Sequence, residues 1–195
     1  MNQLFLFTGA GSTGKTTMLR ALNNYFFQQG TYNYSIISEF VRNLIKKGVI
    51  DKVDIGANNN NQIIITSELM CQFFKNLGSY NRFIIAERSP IDTLAYSRHR
   101  NNSSTYVNEL NERFLKTIYN FKNVKVTTFY FPPILPFEED GVRNKDGQTI
   151  IDTEIKKILE EFNIEYITVC NTEFDRRFIF VKETILKKLQ TTSRV

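Results

Sequence analysis

A chain of 195 residues that is 42% hydrophobic and 13% aromatic can supply the core of one α/β domain and is short for two. A net charge of +5 favours anionic partners, but only short basic pairs occur (Lys46-Lys47, Arg176-Arg177, Lys187-Lys188), not the basic block that marks a nucleic-acid surface. Cys71 and Cys170 are far apart and lack metal-ligand spacing, so they read as two buried thiols of a reducing cytosol, and the lone His99 excludes a His-rich metal site.

The apolar run from Met1 to Phe7 is cut off by Gly9 and Gly11 well before signal-peptide length, and no stretch nears the roughly 18–20 apolar residues of a membrane-spanning helix. The expectation is a cytoplasmic protein with no membrane partner. Leu4 to Thr8 reads as a buried parallel strand, and Thr16 to Gln29 as a helix stopped by Gly30. Tyr34 to Ser38 is the second strand and Glu39 to Lys47 the next helix. The four asparagines from Asn58 to Asn61 mark either a helix start or a loop, before a helix over Gln62 to Leu77.

Arg82 to Ala86 is the third strand. Helices are expected over Ser89 to Arg98 and Val107 to Asn120, with His99 in the basic polar run between them, a solvated helix end. Val124 to Phe131 is the fourth strand. Pro132 to Gln148, rich in proline, glycine and charge, reads as a loop, and Ile150 to Phe162 as a helix. Glu165 to Val169 is the fifth strand and Phe174 to Leu189 the closing helix, with a frayed tail over 190–195. Five strands alternating with helices predict a single domain over 1–195, a doubly wound parallel sheet covered on both faces.

Gly9-Ala10-Gly11-Ser12-Thr13-Gly14-Lys15-Thr16 fits G-x-x-x-x-G-K-[ST], between a predicted strand and a predicted helix. Its glycines let consecutive backbone N–H groups converge on phosphate oxygens, and the helix behind them presents its positive end. This is a P-loop. Lys15 is expected to reach the β- and γ-phosphates of ATP, and Thr16 to join the shell of a Mg²⁺ ion.

A carboxylate at the end of the third strand sits beside such a loop, because ligands gather at the carboxyl ends of parallel strands. Glu87 there can accept a proton from an attacking hydroxyl or hold a metal-bound water, and Arg88 can neutralise charge on a transferring phosphoryl group. The plainer alternative is that Glu87 caps the helix from Ser89 and pairs with Arg88. Glu39 faces the same kind of choice between acceptor binding and helix capping. Arg42 either binds a phosphate or is solvated, and Asp92 is likewise open. The Pro132–Gln148 loop (about 132–149) is a candidate lid, with Arg143 as the residue that would reach the phosphates and a charged surface loop as the alternative. Asn144-Lys145-Asp146-Gly147 imitates a guanine-reading N-K-x-D motif but has Gly147 in place of the carboxylate.

Four segments occur together and in order: Gly9 to Thr17, Ser38-Glu39-Phe40-Val41-Arg42, Glu87 to Tyr96, and Glu139-Asp140-Gly141-Val142-Arg143. In this the chain, from about Leu4 to Leu189, resembles the kinase domain of ribosylnicotinamide kinases and related small AAA-type ATPases, many of them phage-encoded. The resemblance implies a nucleoside/nucleotide-kinase-like fold with strand order 2-3-1-4-5, a lid arginine at Arg143, and acceptor binding near Glu39, Arg42 and Asp92. The family often has Asp before Arg at the third strand where this chain has Glu87, and Glu-Arg-Ser is similar to deoxynucleoside kinases, whose Glu is the general base.

The expected activity is ATP-dependent phosphorylation of a small nucleoside or nucleotide, ribosylnicotinamide included. A polynucleotide kinase and a nucleotide-sensing ATPase remain as alternatives.

Overall fold

The first strand splits its side chains between two helical layers: Leu4 and Leu6 join one core, Phe5 and Phe7 the other, as the two-residue period of a strand requires. A computed structural model of the chain describes residues 2–38, 40–50, 59–79, 81–99, 105–137 and 145–192. In chain order these form β1 (Asn2–Thr8), α1 (Lys15–Gln29), β2 (Tyr34–Ile37), α2 (Phe40–Lys46), α3 (Asn59–Leu77), β3 (Phe83–Ala86), α4 (Pro90–His99), α5 (Thr105–Tyr119), β4 (Val124–Tyr130), α6 (Lys145–Glu161), β5 (Tyr166–Thr168) and α7 (Phe174–Thr192). The strands make one sheet in the order β2-β3-β1-β4-β5, and every strand pairing in it is parallel.

The central position of β1 follows from its composition. All of Leu4 to Phe7 is fully buried, and a strand covered on both faces must be apolar on both. On one side Val41 of α2, Ile65, Leu69 and Phe73 of α3, and Phe114 and Ile118 of α5 pack on Leu4, Leu6, Ile84 and Ala86. On the other, Met18, Leu22 and Phe26 of α1 and Val181, Ile185 and Leu189 of α7 pack on Phe5, Phe7, Phe83 and Phe129. Each such burial contributes about 1.5–3 kcal/mol before chain entropy is counted. A third cluster joins α4, α5 and α6 around Leu94, Leu115 and Ile155 and includes Ala10. The carboxyl ends of β1 and β3, neighbours in register from Gln3–Phe83 to Leu6–Ala86, thereby open side by side.

Four expectations need correction. Both cysteines are exposed rather than buried. The helix expected from Gln62 starts earlier, at Asn59, so the asparagine run is its entry and Asn61 is 5% exposed, since packing of Ile65, Leu69 and Phe73 outweighs the weak helix propensity of asparagine. The loop expected through Gln148 ends earlier, because α6 starts at Lys145. Gly147 costs only about 1 kcal/mol there, while Ile151, Ile155 and Ile158 are buried at helical spacing. The closing helix continues through Thr192, past the expected start of fraying, and Thr191 donates its hydroxyl to the Lys188 carbonyl at 2.8 Å. His99 does end α4, exposed. Among the described residues, no helix is long and apolar enough to cross a membrane.

Candidate active site

The turn between β1 and α1 is built from conformations that the sequence supplies residue by residue. Gly14 caps α1 in the left-handed region at φ 83°, and Ser12 also has a positive φ of 56°. Gly9 is required by contact as well: a Cβ there would lie 2.4 Å from the Phe131 carbonyl oxygen. The first turn of α1 holds no acidic residue, so no side chain of that turn neutralises the positive end of the helix.

Lys15 arches back over the loop. Its ammonium donates to the carbonyls of Gly9 and Ala10, both at 2.6 Å, and to the Thr13 hydroxyl at 3.1 Å. Thr13, only 1% exposed, donates a hydrogen bond from its own hydroxyl to the Ala10 carbonyl at 3.0 Å. Ala10 itself is fully buried beneath the loop and contributes only backbone.

Glu87 lies just beyond β3, where its N–H continues the ladder to the Ile37 carbonyl at 2.9 Å. The Thr16 hydroxyl donates to Glu87 Oε1, while Oε2 is buried with no hydrogen-bond partner among the described residues. Arg88 lays its guanidinium over the Tyr96 ring, 5.7 Å from the centroid.

Asp92 is 1% exposed, and both its oxygens are engaged. Oδ1 accepts the Gly9 N–H at 3.0 Å; Oδ2 accepts the Ser89 N–H at 2.8 Å and the Ser89 hydroxyl at 2.7 Å. The Asp92 N–H returns a bond to Ser89 Oγ at 3.3 Å. Ser89 and Asp92 thus form a reciprocal cap, with Pro90 in the first helical position. The carboxylate fastens the phosphate loop to the start of α4.

Gly9, Gly11 to Thr17, Glu87, Arg88 and Asp92 line one cleft of about 500 Å³. Arg42 falls within α2. Glu39 and Arg143 lie outside the described residues, as does the middle of the expected lid.

Two further residues close on the loop. Gln148, in the first turns of α6, donates its amide to the Gly11 carbonyl at 2.6 Å. Arg177 of α7, 3% exposed, donates Nη2 to the Thr13 carbonyl at 2.9 Å and stacks over Phe131 at 5.3 Å. Burial depresses the affinity of Arg177 for its proton. Neither residue carries a local signal: Gln148 sits in an apparent loop, and Arg177 in an ordinary basic pair.

The oxygens at Thr16 and Glu87 suit a hard divalent cation. Mg²⁺ takes one or two protein oxygens and completes its shell with phosphate and water. The described residues contain no group of three His, Cys, Asp or Glu that would form an all-protein cage.

The sequence family described as an AAA domain matches residues 4–177. No curated protein matches the sequence. Among solved structures, the fold is similar to that of NadR protein in complex with NAD and AMP-PNP, at TM-score 0.69 and 14% identity over 95% of this chain and 49% of that one. It is also similar to thymidylate kinase from Ehrlichia chaffeensis (TM-score 0.60, 18% identity, 97% and 98% covered). A third likeness is to deoxyadenosine kinase from M. mycoides with the products dCMP and dCDP bound (TM-score 0.59, 13% identity, 98% and 100% covered). The chain spans about half the length of the NadR chains it resembles. The fold is that of P-loop nucleoside and nucleotide kinases.

Proposed function

This chain belongs to the AAA domain family, and from that premise we propose that it is an ATP-dependent phosphotransferase acting on a small nucleoside-like or nucleotide-like acceptor. The observation that carries the reading is the placement of Glu87: its carboxylate lies against the P-loop hydroxyl of Thr16, in the cleft shared by Lys15 and Arg88. A P-loop alone serves many activities, whereas a carboxylate with one buried, unpartnered oxygen beside it serves proton removal from an acceptor hydroxyl.

In this reading the backbone N–H groups of Gly11 to Thr16 bind the triphosphate, and Lys15 exchanges its carbonyl partners for phosphate oxygens. Thr16, with help from Glu87, would hold a Mg²⁺ ion, which would supply charge neutralisation to the bound phosphates. Glu87 Oε2 takes the acceptor proton. Arg88, steadied on Tyr96, faces the charge of the transferring group. Asp92 fixes the start of the loop through Gly9. The ligands bound by the structural neighbours, NAD with AMP-PNP and dCMP with dCDP, support a nucleoside-type acceptor.

The test offers the purified protein Mg-ATP with a panel of nucleosides, nucleoside monophosphates, ribosylnicotinamide and oligonucleotides, and reads product mass. One small nucleoside or nucleotide should gain 80 Da, roughly one phosphoryl group. Transfer to oligonucleotides alone, or ADP formation indifferent to every acceptor, would replace this reading.

A further inference from the structure

Arg177 is a buried cation with no carboxylate partner among the described residues. It is 3% exposed. Its Nη2 is spent on the Thr13 carbonyl, its Nε is buried with no hydrogen-bond partner, and its flat face rests on Phe131. Nη1 lies against the loop backbone: a Cβ added to Gly14 would stand 3.1 Å from it. Burial weakens its hold on the proton, yet guanidinium stays charged near neutral pH. A buried charge is costly unless a counter-charge meets it.

Among the described residues, the surroundings lack that counter-charge. The cleft is lined by Lys15, Arg20, Arg88 and Arg177 against two carboxylates, Glu87 and Asp92. Asp92 is saturated by Gly9 and Ser89, and Glu87 is paired with Thr16 beyond the other end of the loop. An anionic ligand in the cleft would balance this excess.

We propose that Arg177 is a nucleotide-contacting residue, whose buried guanidinium, brought from the last helix, is the electrostatic partner of the polyphosphate chain where it passes Thr13 and Gly14. The phosphate grip then has three parts: backbone amides and Lys15 from the motif, Arg88 from the end of β3, and Arg177 from α7. This rests on the reading of the cleft as a triphosphate site. The competing role is a strut that only supports the Thr13 carbonyl.

Calorimetric binding of Mg-ATP, Mg-ADP and inorganic tripolyphosphate to the wild type, Arg177→Met and Arg177→Lys, with melting temperatures taken without ligand, separates the two. As an electrostatic partner, Arg177→Met weakens ATP and tripolyphosphate alike, roughly 10- to 100-fold, and leaves the ligand-free melting temperature equal or higher, since a buried charge is removed. A melting temperature that falls while ATP affinity holds identifies a strut and overturns the proposal. So does a loss confined to ATP that spares tripolyphosphate, which places the contact at the base. Arg177→Lys keeps the charge and serves if the methionine variant does not fold; its affinity for both ligands should be intermediate, and wild-type affinity for both would count against the proposal. A wild type that binds neither ligand defeats the triphosphate reading of the cleft itself, whereas a wild type and Arg177→Met that bind equally well defeat only this inference.

Discussion

The Gly9 N–H and the Asp92 carboxylate meet at 3.0 Å, and through that bond the phosphate loop is tied to the helix that follows β3. Asp92→Ala leaves the buried N–H groups of Gly9 and Ser89 without acceptors. The expected cost is about 2–4 kcal/mol, a fall in melting temperature of roughly 5–15 °C for a domain of this size. Asp92→Asn keeps one carbonyl oxygen and should lose about half as much. A melting temperature for Asp92→Ala within a degree or so of the wild type would contradict the tether.

Glu87 and Lys15 should fail in different ways. Glu87→Gln preserves shape and removes the base, so turnover should drop about 100-fold or more while ATP affinity changes little. Lys15→Ala should lower turnover by at least about 100-fold and weaken ATP binding as well, with circular dichroism unchanged. Equal losses of turnover and ATP affinity in Glu87→Gln would point to metal or nucleotide binding instead of proton transfer.

Gly9→Ala tests the close approach of the two central strands. The new methyl meets the Phe131 carbonyl oxygen at 2.4 Å, and backbone cannot swing aside as a side chain can. A destabilisation of about 1–3 kcal/mol, together with weaker ATP binding, is expected from overpacking at this point. Denaturant titration measures the first and calorimetry the second.

Stability should carry an acid limb and an alkaline limb with separate owners. Arg98 of α4 bonds Glu161 of α6 at 2.6 Å and Glu112 of α5 at 2.7 Å, and its hydrogen bond holds the Glu161 carboxyl below the usual carboxylate range. A depressed folded pKa means stability that is present above the unfolded value of about 4.3 and lost as pH falls through the folded one. Arg98→Ala should therefore lose less stability than the wild type between about pH 6 and 3.

The phenols behave oppositely. Burial, with a hydrogen bond to Asp152, pushes the Tyr130 hydroxyl well above the ordinary tyrosine range. Burial does the same for Tyr119. A raised folded pKa means stability that is intact below the unfolded value of about 10 and lost as pH climbs past it. Tyr130→Phe should flatten that alkaline limb in denaturation curves taken across pH, and an unchanged limb would assign it elsewhere.

The fold was legible because its signals are local. Short apolar runs bounded by turn signals, such as Phe83 to Ala86, read as buried strands, and the glycine pattern from Gly9 to Gly14, set between a strand and a helix, reads as a tight turn over a helix start. The residues that finish the site were not legible, because their roles come from long-range contact. Gln148 meets Gly11 across 137 positions and Arg177 meets Thr13 across 164, and neither partner is visible in the residues on either side. Asp92 lies between these cases. Its Ser-Pro-Ile-Asp setting announces a helix cap, yet the bond to Gly9 depends on β3 lying beside β1. Cysteine misled for a different reason: burial is a tendency of the residue type, and Cys71 and Cys170 occupy outward positions that their neighbours do not betray.

Those two outward thiols give the molecule a pair of ready-made attachment points. Cys71 rides on α3, which packs over the β2–β3 side of the sheet, and Cys170 follows β5 at the opposite margin. Maleimide dyes coupled to the native chain would stand on either side of the fold with no engineered substitution, so that energy transfer between them reports directly on any change in its breadth.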